Sequence, residues 1–241
     1  MKYKITFSYD GTNYYGYEIQ PKVISIQETL EKEISVILNE KIRIYSSGRT
    51  DRGVHAFEQV ATFDTNKGFL ISKFLVSINK LLPKDICVKS VESVDDDFDA
   101  RFSSKYKIYQ YYINTVSYDV FRRNYEVFIP NLDIEKMKEV SNIFVGKHCF
   151  KNYCSKPIDK EDFIREISYI HFIENSGTVI IEFKGSGFMT YMVRKIVGSL
   201  IEVGKGKMDK EDLLKYLENS KRDIMPFTAE SKGLFLKKVG Y

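Results

Sequence analysis

The order of alternating and helical patterns constrains the fold of this chain more than any other feature. Residues 2–9 alternate between apolar and polar side chains, which is typical of a half-buried strand. Residues 25–38 begin with a capping box of Ser25 and Glu28 and continue with apolar residues at helical spacing. The pattern then predicts strands at 41–47 and 58–64, a helix at 69–81 and a strand at 86–94. The order β-α-β-β-α-β is the split unit of ferredoxin-like folds.

The second half of the chain is predicted to repeat this order with additional elements. We expect strands at 106–113 and 124–129, a helix from Asp133 to Gly146, paired strands at 166–174 and 178–184, a helix at 187–203, a shorter helix from Asp209 and a strand at 234–238. The fold class is therefore α+β, with two ferredoxin-like halves whose mixed, mostly antiparallel sheets join around a central cleft. An acidic run at 95–99 separates the halves, which we place at 1–102 and 103–241. A cleft between them is the natural place for a site.

Composition and charge exclude several classes of protein. A hydrophobic share of 43% in 241 residues is enough for a globular core. No apolar run approaches the ~20 residues of a membrane helix, and the N-terminus lacks the apolar core of a signal peptide. The three cysteines are odd in number and form no C-x-x-C pair, which favours reduced thiols in the cytoplasm. The net charge of +4 permits a polyanionic partner without requiring one.

One segment carries the residue types that catalysis needs. Residues 47–56 read SGRTDRGVHA, in which the carboxylate of Asp51 is flanked by Arg49 and Arg52 and framed by two glycines. Glycine lets a backbone approach a ligand closely, and arginine keeps a nearby carboxylate ionised and binds phosphate. The same residues are also ordinary in a tight hairpin, in which the Asp side chain caps its own turn. Composition alone leaves both interpretations open.

Residues 48–56 resemble the catalytic motif of the TruA family of tRNA pseudouridine synthases. Further segments resemble the family's other motifs, in the family's order and over essentially the whole chain: 9–16, 97–111, 192–198 and 228–236. The resemblance implies the pseudouridine synthase fold, a homodimer and a tRNA substrate. It also implies that uridine is isomerised to pseudouridine at positions 38 to 40 of the anticodon stem-loop, without a cofactor or a metal.

The resemblance implies roles for single residues. Asp51 matches the catalytic aspartate, which attacks C1′ of the sugar, stabilises an oxocarbenium-like centre or attacks the base; the sequence leaves these open. Arg194 matches the basic residue that pairs with this aspartate, with a snorkelling arginine as the alternative. Tyr109 matches the tyrosine that stacks on the flipped-out base, with a core tyrosine as the alternative. The residues that we predict to bind substrate are Arg49, Arg52, His55, Arg101, Tyr109, Lys195 and Leu236.

Basic residues concentrate in two stretches, 101–125 and 184–207, where phosphate contacts would give affinity that depends on salt. Surface strands and helix ends also collect such residues without binding RNA. A zinc site at His148, Cys149 and Cys154 is not predicted, because the spacing is wrong and a fourth ligand is missing.

Three single positions and one three-residue segment depart from the family pattern and bear on substrate choice. Tyr17 stands where Trp is usual, Arg52 replaces a small residue, Tyr191 stands where His is common, and residues 152–154 read NYC in place of Ser-Phe-Arg. A paralogue that modifies another RNA site is therefore one alternative. A non-catalytic RNA-binding module is a second, although the RNA-recognition signature is absent. A glycosidic-bond hydrolase is a third, and it would need a second acid such as Asp64 or Glu58.

Overall fold

The computed structural model describes residues 1–155 and 162–241. These residues form two compact units. Met1–Lys105 and Phe235–Tyr241 make up the first unit, and Tyr106–Leu234 make up the second. The last strand of the chain therefore belongs to the same unit as the N-terminus.

The strands and helices follow in the order β1 Lys2–Tyr9, α1 Ile26–Leu38, β2 Ile44–Ser46, β3 His55–Asp64, α2 Ile71–Leu81, β4 Ile86–Val94, β5 Tyr106–Asn114, β6 Val127–Phe128, α3 Ile134–Ser141, β7 Gly146–Cys149, β8 Ile164–Asn175, β9 Thr178–Gly185, α4 Met192–Gly204, α5 Lys210–Glu218 and β10 Leu234–Gly240. Among the described residues, no helix is both long enough and apolar enough to cross a membrane.

The sheet of the first unit is built around β1 and β3. Strand β1 is antiparallel to β4 on one side and to β3 on the other. The far edge of β3 pairs with β10 in parallel near its start and with β2 in antiparallel fashion near its end. The alternate residues of β1 are buried, and so are the apolar faces of α1 and α2, with Phe63 of β3 6.1 Å from Phe74 of α2 between ring centroids. The alternation in β1 and the helical spacing in α1 and α2 both predict the residues that form this core.

The sheet of the second unit has the strand order β5-β9-β8-β7, with every neighbouring pair antiparallel. Strand β6 adds a short parallel pairing to β5. Helix α4 is buried along nearly its whole length, which is consistent with the many apolar residues in its sequence. The prediction of an α+β fold with mostly antiparallel sheets is confirmed.

Three elements of the second unit differ from the prediction by three residues or more at one end. The strand predicted at 124–129 is confined to Val127–Phe128. The helix predicted to reach Gly146 ends at Ser141, because the next three residues tighten into a 3-10 turn. Residue Gly146, at φ 103°, then begins the short strand β7 that the sequence pattern does not predict. Helix α4 begins at Met192 instead of 187, because Tyr191 adopts a left-handed conformation at φ 64° that a helix cannot continue through.

Candidate active site

The loop that joins β2 to β3 carries Asp51, and both ends of the loop are fixed by backbone hydrogen bonds. The Ser47 N–H donates to the carbonyl oxygen of Val60 at 2.9 Å. The Val54 N–H donates to the carbonyl oxygen of Asp51 at 3.1 Å, which closes a turn in which Gly53 has φ 75°. Asp51 is half-buried at the start of this turn. The loop therefore presents one carboxylate from a folded turn. We refer to residues 47–54 as the Asp51 loop.

A second segment, residues 10–17, packs backbone to backbone against the Asp51 loop. A Cβ atom built on Gly11 would lie 2.1 Å from the carbonyl oxygen of Val54. Gly16 has φ 95°, and a Cβ atom there would lie 3.0 Å from the carbonyl oxygen of Thr50. The Tyr17 N–H donates to that same oxygen at 3.1 Å. Only glycine permits such an approach at positions 11 and 16, which explains why the motif at 9–16 contains glycine at both.

His55 closes the end of the Asp51 loop from inside the unit. Its side chain is buried, and its Nδ1 accepts a hydrogen bond from the Gly11 N–H at 3.1 Å. The same Nδ1 lies 3.0 Å from Oδ1 of Asp10. The imidazole ring also stacks on Phe235 of β10, with 4.5 Å between ring centroids. These contacts tie three segments of the first unit together at the residue that follows the loop.

Arg194 lies in the second unit, on the first turn of α4, where the segment 227–229 fixes its direction. Its Nε donates to the carbonyl oxygen of Ala229 at 2.8 Å, and the Ala229 N–H donates to the Arg194 carbonyl oxygen at 2.9 Å. Its guanidinium lies 4.8 Å from the ring centroid of Tyr191. Close packing of α4 on this segment depends on Gly198, whose Cβ would lie 2.9 Å from the carbonyl carbon of Phe227.

Comparison with known proteins decides the family. A family model described as tRNA pseudouridine synthase matches residues 5–103 and 140–241. The chain is 40% identical to tRNA pseudouridine synthase A of Bacillus licheniformis, over 100% of this chain and 99% of that protein. It is 38% identical to the protein of the same name in Bacillus subtilis over the same shares, and 36% identical to that of Staphylococcus aureus over 99% of this chain and 90% of that protein. The chain belongs to the tRNA pseudouridine synthase family.

Within this family member, the two arginines of the Asp51 loop lie on the surface. Arg49 is exposed and its Nη1 lies 2.8 Å from Oε2 of Glu18, an exposed ion pair that adds little stability. Arg52 is exposed, and its guanidinium lies 4.0 Å from the ring centroid of Tyr15. The aromatic ring holds the guanidinium in a preferred orientation. Both cationic groups are thus available to solvent next to Asp51.

Tyr109 and Arg101 are two further predicted site residues. Tyr109 lies on β5, is 8% exposed, and meets Phe188 edge to face at 5.2 Å between ring centroids. Arg101 is exposed, with its guanidinium 5.4 Å from the ring centroid of Phe102. Tyr109 belongs to the second unit and Arg101 to the first.

Lys195 and Leu236 are both buried. Leu236 is 1% exposed and pairs with Ala56 across β10 and β3, next to the Asp51 loop. The Nζ of Lys195 donates to the carbonyl oxygen of Met225 at 2.5 Å and to Oγ1 of Thr228 at 3.2 Å. Burial lowers the pKa of Lys195. This ammonium group secures the segment that Arg194 also binds.

Asp51, Arg49, Arg52 and His55 all lie in the first unit, and Arg194 and Lys195 lie in the second. The structure also identifies residues that the sequence analysis does not single out. Tyr15 stacks under Arg52, and Tyr9 places its hydroxyl 2.7 Å from Oγ1 of Thr50. Both tyrosines lie in the motif at 9–16, but their partners are distant in sequence and depend on the fold.

Substitution of Gly16 by Ala tests the backbone packing against the Asp51 loop. We expect the free energy of unfolding to fall by about 2 kcal/mol, because a side chain is strained at φ 95° and its Cβ would crowd the Thr50 carbonyl. Urea denaturation followed by circular dichroism measures this. The matched control is Gly68→Ala in the same unit, where a Cβ would meet no atom within 4 Å. Equal stabilities of the two variants would contradict the packing argument.

Proposed function

We propose that this chain isomerises uridine to pseudouridine in tRNA, with Asp51 as the nucleophile. The observation that carries the proposal is the Asp51 loop, in which a single carboxylate is held by backbone packing from residues 10–17 and lies between two surface arginines. Membership of the tRNA pseudouridine synthase family supplies the reaction class. A carboxylate alone meets the chemical requirement, since nothing is oxidised, reduced or added.

The proposed reaction breaks the bond between C1′ and N1 of uridine and forms a bond between C1′ and C5. An ionised Asp51 attacks C1′ and releases the uracil, or attacks the base instead. The uracil rotates so that C5 faces C1′, the C1′–C5 bond forms, and the bond between Asp51 and the substrate breaks, which restores the carboxylate. Water accepts the proton that leaves C5 and supplies the proton that N1 gains. We assign Arg49 and Arg52, which flank Asp51 in the loop, to contacts with RNA.

We assign the partner of Asp51 to Arg194 and the stacking of the flipped uridine to Tyr109. The hydrogen bond from Nε of Arg194 to Ala229 and the ring of Tyr191 set the direction of the guanidinium. Because the direction of this guanidinium is already fixed, it loses little conformational entropy when it forms an ion pair. Tyr109 sits at the edge of a buried aromatic pair, so its ring is held in place. Both assigned residues lie in the second unit, whereas Asp51 lies in the first.

The predicted substrate-binding residues divide by exposure. Arg49, Arg52 and Arg101 are exposed and are proposed to bind phosphate. His55, Lys195 and Leu236 are buried, and we assign them to shaping the site through the backbone that each one holds. We propose that the substrate is the anticodon stem-loop at positions 38 to 40, and that the enzyme works in the cytoplasm. A paralogue that acts at another RNA site is the second candidate, favoured by the departure at Arg52.

Asp51→Asn tests the chemistry. With tRNA tritiated at C5 of uridine, we expect tritium release to fall at least about 1,000-fold, because the nucleophile is lost, while the affinity for tRNA is retained. Asp64→Asn is the matched control, since Asp64 is an exposed carboxylate at the end of β3. Mapping of pseudouridine in the product decides between positions 38 to 40 and another site. Normal turnover by Asp51→Asn, or release of free uracil by the intact enzyme, would contradict the proposal.

Arg52→Ser tests the proposed phosphate contact beside Asp51. We expect weaker tRNA binding and a plot of log affinity against log salt that is shallower by about one unit, because one phosphate contact is lost. Arg43→Ser in the same unit is a matched control, since Arg43 is also an exposed arginine over a tyrosine, at 5.9 Å from the ring centroid of Tyr45. Identical salt dependence of the two variants would exclude a phosphate contact at Arg52.

A homodimer is proposed on the surface of the loop between β5 and β6. Backbone hydrogen bonds from Arg122 to Asp119 and from Tyr125 to Arg122 order this loop. Its apolar side chains nevertheless face solvent, with Val116 73% and Phe121 86% exposed. An ordered, exposed apolar surface is typical of a protein interface. The guanidinium of Arg122 lies 2.9 Å from the buried carboxylate of Glu126, which favours a protein partner here over a phosphate.

We propose that the partner on this surface is a second copy of the chain, so that one subunit holds the body of the tRNA while the other performs the chemistry. Phe121→Ser is expected to shift the protein from dimer to monomer, because it removes a large apolar contact. Sedimentation equilibrium measures the change. Phe102→Ser, which alters a phenylalanine 81% exposed in the other unit, is the control and leaves the dimer intact. A wild-type monomer that modifies tRNA would contradict the proposal.

A further inference from the structure

A buried glutamine holds the first residues of the Asp51 loop. Gln59 lies on β3 and is completely buried. Its Oε1 accepts hydrogen bonds from Oγ of Ser47 at 2.9 Å and from the Val60 N–H at 3.1 Å. Its Nε2 donates to the carbonyl oxygen of Gly48 at 3.0 Å. One side chain thus binds both the first and the second residue of the loop.

A buried tyrosine holds the residue next to Asp51. Tyr9, at the end of β1, has its hydroxyl 2.7 Å from Oγ1 of Thr50. Burial is the main influence on the Tyr9 hydroxyl and raises its pKa to about 12, while the side chains of Thr50 and Gln59 lower it in part. Tyr9 therefore remains neutral at physiological pH and keeps its hydrogen bond. Tyr9 and Gln59 thus hold neighbouring residues of the same loop, and we call these two side chains with the loop residues that they bind the Tyr9–Gln59 cluster.

The buried polar atoms of Gln59 and Tyr9 need hydrogen-bond partners within the protein. Gln59 is 0% and Tyr9 4% exposed, so a lost hydrogen bond at either side chain is not replaced by water. Their polar atoms reach the three loop residues Ser47, Gly48 and Thr50, all just before Asp51. A shift of the loop would leave these buried groups without partners, so the cluster favours one position of the loop.

We propose that Gln59 and Tyr9 are positioning residues, which set the place of the Asp51 carboxylate without touching substrate. The inference rests on the proposed function, in which Asp51 is the nucleophile. Nucleophilic attack needs the reacting atoms about 3 to 3.5 Å apart, and a misplacement of about 1 Å costs about 100-fold in rate. Hydrogen bonds from two different strands, β1 and β3, define the loop more closely than bonds from either strand alone.

The decisive variant is Gln59→Met, which keeps the size of the side chain and removes its hydrogen bonds. We expect kcat to fall about 100-fold while KM for tRNA stays near the wild-type value, because binding is retained and the reacting geometry is lost. The control is Gln27→Met, which alters another buried glutamine of the first unit, whose Nε2 donates to Glu31 at 2.8 Å. Both variants lose stability, and both are assayed well below their melting temperatures, but only Gln59→Met loses kcat.

Tyr9→Phe and Thr50→Val provide a second test that does not depend on how well Gln59→Met folds. Each single variant lowers kcat, and the double variant is no slower than the slower single one, because all three lack the same hydrogen bond. Wild-type kcat in folded Gln59→Met or in Tyr9→Phe overturns the positioning role, and so does an equal loss of kcat in Gln27→Met. Asp51→Asn is assayed in parallel. If Asp51→Asn is fully active, the proposed function is wrong. If Asp51→Asn is inactive but Gln59→Met and Tyr9→Phe are fully active, only the positioning role is wrong.

Discussion

Direct backbone packing between residues 10–17 and the Asp51 loop is the constraint on which the rest of the first unit's site depends. A side chain at Gly11 would collide with the Val54 carbonyl, and one at Gly16 would be strained and would crowd Thr50. Because the two backbones touch, the Tyr17 N–H reaches Thr50 and the Gly11 N–H reaches His55. These contacts fix the backbone of the loop that carries Asp51.

Close backbone packing at a glycine also occurs in the second unit, next to Arg194. Gly198 lets α4 approach the backbone of residues 227–229, and this approach makes possible the paired hydrogen bonds between Arg194 and Ala229. Lys195, one residue further along the helix, binds the same segment through Met225 and Thr228. In both units, close backbone packing at a glycine fixes the segment next to a charged side chain.

The sequence predicts more of the regular structure than of the site. Strand β1 and helix α1 follow directly from alternation and from the capping box at Ser25, whose side chain accepts a hydrogen bond from the Glu28 N–H. Strand β7 and the late start of α4 are not predicted, because they depend on local backbone conformations at Gly146 and Tyr191 that apolar spacing does not encode. The motif residues from Arg49 to His55 are found in the sequence, but their division into exposed arginines and a buried histidine is not.

The sequence by itself determined the family, the α+β fold class and the position of Asp51 in the chain, since motifs and apolar periodicity are local properties. The tertiary structure decided which side chains support that aspartate. Gln59 binds Ser47 from twelve residues away, and Tyr9 meets Thr50 from forty-one residues away. Such contacts arise where strands from distant parts of the chain align, and no spacing within the sequence encodes them. The same reason explains why Lys195, a basic residue in a basic stretch, proves to be buried and bound to backbone carbonyls.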